Sequence, residues 1–186
     1  MLRPNSFLVC LALPLVVAAC GKQEAKVAAA APAKAEQAVM PRAEADSPRL
    51  AAVQKAIDAY AVVRTALAAD DLAAAQKSAT ELSIQARAAA GQLLGPAADH
   101  LTQLAATAEK LTAAPEIESA RDVFGDLSKT LIQAVSLEPS FQTGLMTYRC
   151  PMARGYQKWV QTGDDMANPY MGKRMLKCGS KVKLEP

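Results

Sequence analysis

The sequence predicts an all-α protein: an antiparallel four-helix bundle with an irregular C-terminal segment, rich in cysteine, methionine and aromatic residues, packed on it. Between Ser47 and Leu137 apolar residues recur at three- and four-residue steps, the period of a helix with one buried face. Breaks at Asp70-Asp71, Gly95-Pro96 and Pro115 divide that stretch into four runs of similar length, and short connections make antiparallel neighbours. After Glu138 and Pro139 alanine nearly disappears, and glycines, tyrosines, Trp159 and five of the seven methionines gather instead.

Ser47 offers an N-cap and Pro48 the favoured first helical position, after which Leu50, Val53, Ile57, Tyr60, Val63 and Leu67 form the stripe of a first helix. Asp70 and Asp71 close the turn and cap a second helix running to Leu94, with Leu72, Ala75, Ala79, Leu82 and Ala86 inward. Helix capping accounts for this carboxylate pair more simply than acid/base chemistry. Gly95 and Pro96 open a third helix, with Ala97, Leu101, Leu104, Ala108 and Leu111 on one side. Pro115 starts a fourth, striped by Ile117, Ala120, Phe124, Leu127, Leu131 and Val135. About 140 residues make one domain, here residues 47–186, with the motif-bearing part at 144–180.

The N-terminal end reads as an address. Arg3 precedes the apolar run from Phe7 to Ala19, which is too short and too Pro-interrupted to span a bilayer. Val16 to Cys20, "VVAAC", resembles the bacterial lipobox, which implies removal of residues 1–19 and acylation of Cys20. The alternative is an ordinary signal cut near Ala19, with Cys20 incidental. Gly21 after the cysteine resembles the pattern that sends lipoproteins to the outer membrane, so the expected location is the envelope, lipid-anchored and facing the periplasm. Residues 20–46 are Ala, Lys, Glu and Pro with few large apolar groups, a tether reaching roughly 25–30 Å as a coil. Losing Arg3 lowers the net charge from +3 to +2, a balance that calls for no nucleic acid.

Of the four cysteines, Cys10 leaves with the signal and Cys20 takes lipid, so Cys150 and Cys178 remain for an oxidising compartment. "YRCPMARG" and "MGKRMLKCGS" set these two beside Met152 and Met175. If the segment folds back on itself, thioether and thiolate donors converge in a set suited to Cu(I) or Ag(I) and unsuited to Mg or Ca. Two cysteines alone in an exported domain also suit a disulfide, which would stabilise by about 3–4 kcal/mol on the chain-entropy model. Methionines in such a segment also serve as core fillers. The three readings stand side by side at this level.

The run "CPMARG", then Trp159, then "NPYMGKRMLKCG" resembles the C-terminal signature of a periplasmic family of unknown function. Its members stand alone in exported proteins or are attached to adaptor subunits of heavy-metal efflux pumps. The resemblance covers roughly residues 50–180 and is motif-specific only over the last thirty. It implies copper or silver handling at Cys150, Met152, Met175 and Cys178, beside an efflux system as partner. Met171 stands where the family has an aromatic residue and Met166 where it has an aliphatic one; the two either add ligands or preserve packing volume, and packing is the expectation.

His100, the only histidine, opens the third helix and is a further candidate ligand, matching a histidine of many family members. Pro169 fixes the turn after Asn168, and Tyr170 and Trp159 are expected to anchor the segment to the bundle. Lys173, Arg174, Lys177, Lys181 and Lys183 make a basic end, a solvated face or one that attracts anionic lipid. No enzyme is expected: the chain has no second histidine, no C-x-x-C pair, no phosphate-binding glycine loop and no zinc-type ligand spacing.

Overall fold

The structure, a computed structural model, describes residues 42–186. The expected signal peptide, Cys20 and the tether as far as residue 41 lie outside the described residues. Four helices, α1 (Arg42–Ala68), α2 (Leu72–Ala90), α3 (Pro96–Thr112) and α4 (Ile117–Ser136), pack antiparallel, each on the next. Their inward stripes are the expected ones: Val53, Ile57, Tyr60, Val63 and Leu67 from α1, Leu82 and Ala86 from α2, Leu101, Leu104 and Leu111 from α3, and Phe124, Leu127, Leu131 and Val135 from α4 are all buried. Among the described residues no helix is long and apolar enough to cross a membrane.

The helix ends differ from expectation in two places. α1 begins at Arg42 rather than being capped by Ser47, and Pro48 lies inside it. The alanines and glutamate before Pro48 favour helix strongly enough to carry the ladder past one missing N–H. Leu50 is 38% exposed instead of buried, because the covered stripe of α1 starts only at Val53. α2 stops at Ala90 with Gly91 as its cap, which leaves Leu93 buried and Leu94 exposed.

The larger difference is in the tail. It holds a three-stranded antiparallel sheet, β1 (Leu145–Arg149), β2 (Lys158–Thr162) and β3 (Ser180–Val182), ordered β2-β1-β3, so the protein is mostly helical rather than all-α. Strands of three to five residues are too short for an alternating pattern to declare itself, and the glycines between them read as loop.

An unbroken line of aromatic rings fastens this sheet to the bundle. Tyr60 of α1 stacks on Phe124 of α4 with ring centres 5.1 Å apart, and Phe124 meets the edge of Tyr170 at 5.7 Å. Tyr170 in turn meets Trp159 of β2 at 6.0 Å, and Trp159 stacks on its cross-strand partner Tyr148 of β1 at 5.5 Å. Each such pair adds about 0.5–1.5 kcal/mol beyond the apolar area it buries. The two central phenols also bind polar groups: Tyr60 Oη and Ser128 Oγ lie 2.5 Å apart, and Tyr170 donates to the Lys158 carbonyl at 2.6 Å. Burial pushes both phenols well above their usual pKa, so they remain neutral hydrogen-bonding groups.

Phe124 is the ring through which bundle and sheet meet, and it is fully buried. Phe124→Ala is expected to cost about 3–5 kcal/mol in denaturant unfolding, whereas Val62→Ala, at an exposed site of α1, stays within about 0.5 kcal/mol. A Phe124 variant as stable as wild type would mean that the ring chain does not join the two parts.

Candidate functional site

The sheet register brings the two cysteines together. β1 pairs with β3 through Arg149↔Ser180, and extending that register by one residue sets Cys150 opposite Gly179, the neighbour of Cys178. On its other side Cys150 donates its N–H to the Gln157 carbonyl at 3.0 Å, continuing the β1–β2 ladder. The two Sγ atoms lie 3.6 Å apart, both cysteines free, with Cys150 fully buried and Cys178 half-buried. The hydrogen bond with Cys150, helped by burial, pushes the Cys178 thiol above the usual range, since the shared proton favours the neutral form.

Asn168, fully buried, holds the Cys178 side of the pair. Its Nδ2 donates to the Cys178 carbonyl at 2.5 Å, its Oδ1 accepts from the N–H groups of Tyr170 and Met171, and its own N–H donates to the Leu176 carbonyl at 2.8 Å. The Asn-Pro-Tyr turn and the cysteine strand are thus tied through one amide. Gly179 permits the close approach: a Cβ there would lie 3.0 Å from the Arg149 carbonyl oxygen and from Trp159 Cη2, at a φ of +146°.

A second clamp ties the same turn to the bundle. Arg121 of α4, almost wholly buried, donates to the Pro169 carbonyl at 3.1 Å and to Asp70 Oδ1 at 2.5 Å, while Asp70 Oδ2 accepts from the Lys173 N–H at 3.1 Å. Gly172 sits against both side chains with φ +59°, where any Cβ would overlap them. Asp71 caps α2 as expected, through the Ala74 N–H. Asp70 does not: it is a latch for the tail. A capping turn and a latch look alike in sequence. The clue lay in Arg121, a charged residue beside the apolar stripe of α4, which demands a buried partner.

The other predicted ligands are not all brought to the thiols. His100 lines a polar groove between α3 and α4 with Lys110, Asp126 and Lys129, and no residue of the tail shares that groove. Met152 is 57% exposed and lines a cleft with Glu118, Arg154 and Arg174. Met171 is buried packing in the same place. Met175 is half-buried one turn before Cys178, its carbonyl accepting the Cys178 N–H at 2.9 Å. Met166, expected to fill volume rather than to add a ligand, has its Sδ 3.3 Å from the point where a Gly179 Cβ would stand. Of the basic end, Lys177 pairs with Asp165 and Lys181 with Asp164. Among the described residues no three His, Cys, Asp or Glu side chains gather in a metal-binding group.

The Asp70 latch is sensitive to pH. Partial burial pushes its carboxyl up, but the Lys173 N–H and the Arg121 guanidinium outweigh this and hold it below the usual carboxylate range. A carboxyl lowered by folding stabilises fully above its unfolded pKa of about 3.9, and that contribution is lost as pH falls through the folded value. Asparagine tolerates the left-handed φ of +56° at this position, so Asp70→Asn removes the charge and keeps the turn. Urea midpoints should show the wild type more stable at neutral pH, with the gap narrowing as pH falls below the unfolded value of about 3.9. A gap that persists in acid would assign the difference to something other than the carboxylate.

No curated protein and no solved structure matches this chain. A family match runs from the middle of α1 through α4 and stops before β1, so the cysteine-bearing tail lies beyond it. Residues 56–142 match the model of DUF3347, a family described as a protein of unknown function.

Proposed function

We propose that this protein is a binding module for a soft monovalent metal ion, Cu(I) or Ag(I), chelated by Cys150 and Cys178. The observation that carries the reading is the 3.6 Å separation of the two Sγ atoms on a braced frame. That separation lets both sulfurs reach one ion lying between them. Binding replaces two thiol protons by one cation, with no change of oxidation state. The donor set argues for the metal. Zinc fills a tetrahedron from thiolate, imidazole and carboxylate groups, and among the described residues no third such group joins the thiols. Thiolates with only thioethers nearby suit Cu(I) and Ag(I).

The export signal and lipobox support an envelope location with Cys20 as anchor. The resemblance of the last thirty residues supports a place beside a heavy-metal efflux system, to which the module would deliver, or from which it would withhold, its ion.

The same contact supports a second reading, in which oxidation closes Cys150 and Cys178 into a structural disulfide. The sulfurs would need to approach by about 1.5 Å. Mass analysis with and without alkylation separates the two: a bond that resists mild reduction leaves no thiolates for metal.

In an anaerobic Cu(I) competition titration of the full chain, one equivalent is expected to bind tightly, and Cys150→Ser,Cys178→Ser to abolish that equivalent. Trp159, the only tryptophan, has its ring edge beside Gly179, so its emission should change in step with binding. Equal capture by wild type and the double variant would overturn the assignment.

A further inference from the structure

Two thiolates leave Cu(I) with an open coordination position, and thioether is the neutral donor this tail has in excess. Resting on the soft-metal reading above, we infer that Met166 supplies that third ligand, in a Cys150–Cys178–Met166 trigonal site. The Met166 Sδ lies 3.3 Å from the Cβ position of Gly179, which itself lies 3.0 Å from the Arg149 carbonyl oxygen. Gly179 follows Cys178 in the chain and Arg149 precedes Cys150. The thioether therefore lies against Gly179, the residue next to Cys178 and opposite Cys150 in the extended register.

The loop bearing Met166 is built to hold it there. Gln161, buried in β2, donates through Nε2 to the carbonyls of Gly163 and Asp165, both at 3.0 Å, and accepts the Ala167 N–H on Oε1 at 3.3 Å. Arg64 of α1 donates to the Ala167 carbonyl at 3.1 Å, and Lys177 pairs with Asp165 from the cysteine strand. Met166 is itself half-buried against the core. By contrast Met152, the methionine nearest a cysteine in sequence, is exposed in the cleft beside Arg154. Met175 lies three residues before Cys178, its carbonyl accepting the Cys178 N–H, and so belongs to the cysteine turn itself. Met166 reaches the cysteine junction from a separate loop, its sulfur 3.3 Å from the point where a Gly179 Cβ would stand.

Trp159 Cη2 reaches the same Gly179 position at 3.0 Å, so an ion held there would also lie near the indole. Soft cations gain from such a ring when water is excluded.

The test is carbon-13 labelling of the methionine methyls in the full chain, titrated with Ag(I) under anaerobic reducing conditions. Signals are assigned by Met166→Leu, Met152→Leu and Met175→Leu, which preserve volume. The Met166 methyl should shift and saturate at one equivalent while the Met152 methyl stays in place. In Cu(I) competition Met166→Leu should bind at least roughly tenfold more weakly, the loss that even an outer partner of a metal ligand causes. Capture by the wild type through its thiols, with a stationary Met166 methyl and unchanged affinity in Met166→Leu, would overturn this ligand and leave the thiol chelate standing. Failure of the wild type to bind Ag(I) or Cu(I) at all would remove both.

Discussion

The buried amide of Asn168 is the interaction on which the tail depends. It presents a donor to the Cys178 strand and an acceptor to the Tyr170 and Met171 N–H groups, back to back, in a place without water. An aspartate would lack the donor, and a leucine would strand two N–H groups and a carbonyl, each costing about 1–3 kcal/mol when buried. Pro169 and Tyr170 then have their reasons. The proline fixes the turn that the amide closes, its carbonyl takes the Arg121 hydrogen bond, and the tyrosine ring docks on Phe124.

What this frame positions is a pair of thiols beside the ends of neighbouring strands, Cys150 just after β1 and Cys178 two residues before β3. Cys150 belongs to the end of the β1 ladder, and Cys178 to a turn held by Asn168 on one side and Gly172 on the other. Neither sits on a free loop. In the proposed metal module the pair would be set before an ion arrives, so little ordering would oppose chelation. Burial of Cys150 shields one sulfur, and the half-exposed Cys178 gives the approach. The bundle's part is to be a rigid back wall, through Tyr60, Phe124 and Arg121, for a sheet too small to stand alone.

Much of this was legible in the sequence, and the limits have physical causes. The helical stripes and three breaks set out the bundle almost residue for residue, because period and punctuation are local signals. Ser47 and Leu50 misled, since an alanine-rich stretch continues a helix without regard to an available cap. The strands escaped notice because each is defined by its partners rather than by its own alternation. For the site, the meeting of Cys150 with Cys178 followed from the fold-back. The contributions of Asp70, Arg121 and Gly172 did not, because residues about 50 apart were joined by a turn whose geometry no spacing reveals. His100 and Met152 were chosen for chemistry and closeness in sequence, and the topology gives both to other surfaces. Met166 reads in the sequence as an added ligand or, more simply, as a volume-preserving substitution; its sulfur lies 3.3 Å from the point where a Gly179 Cβ would stand, a contact no spacing reveals.

The proposed metal module requires that the folded, reduced protein present Cys150 and Cys178 as a ready chelate. Crystals of the reduced protein grown with Ag(I) test it most directly, through the anomalous signal of the metal. The expected result is a single dominant peak bonded to both Sγ atoms, on a tail whose Asn168 contacts are unchanged. Silver bound elsewhere, with Cys150 and Cys178 left as an unliganded pair or a closed disulfide, would contradict it.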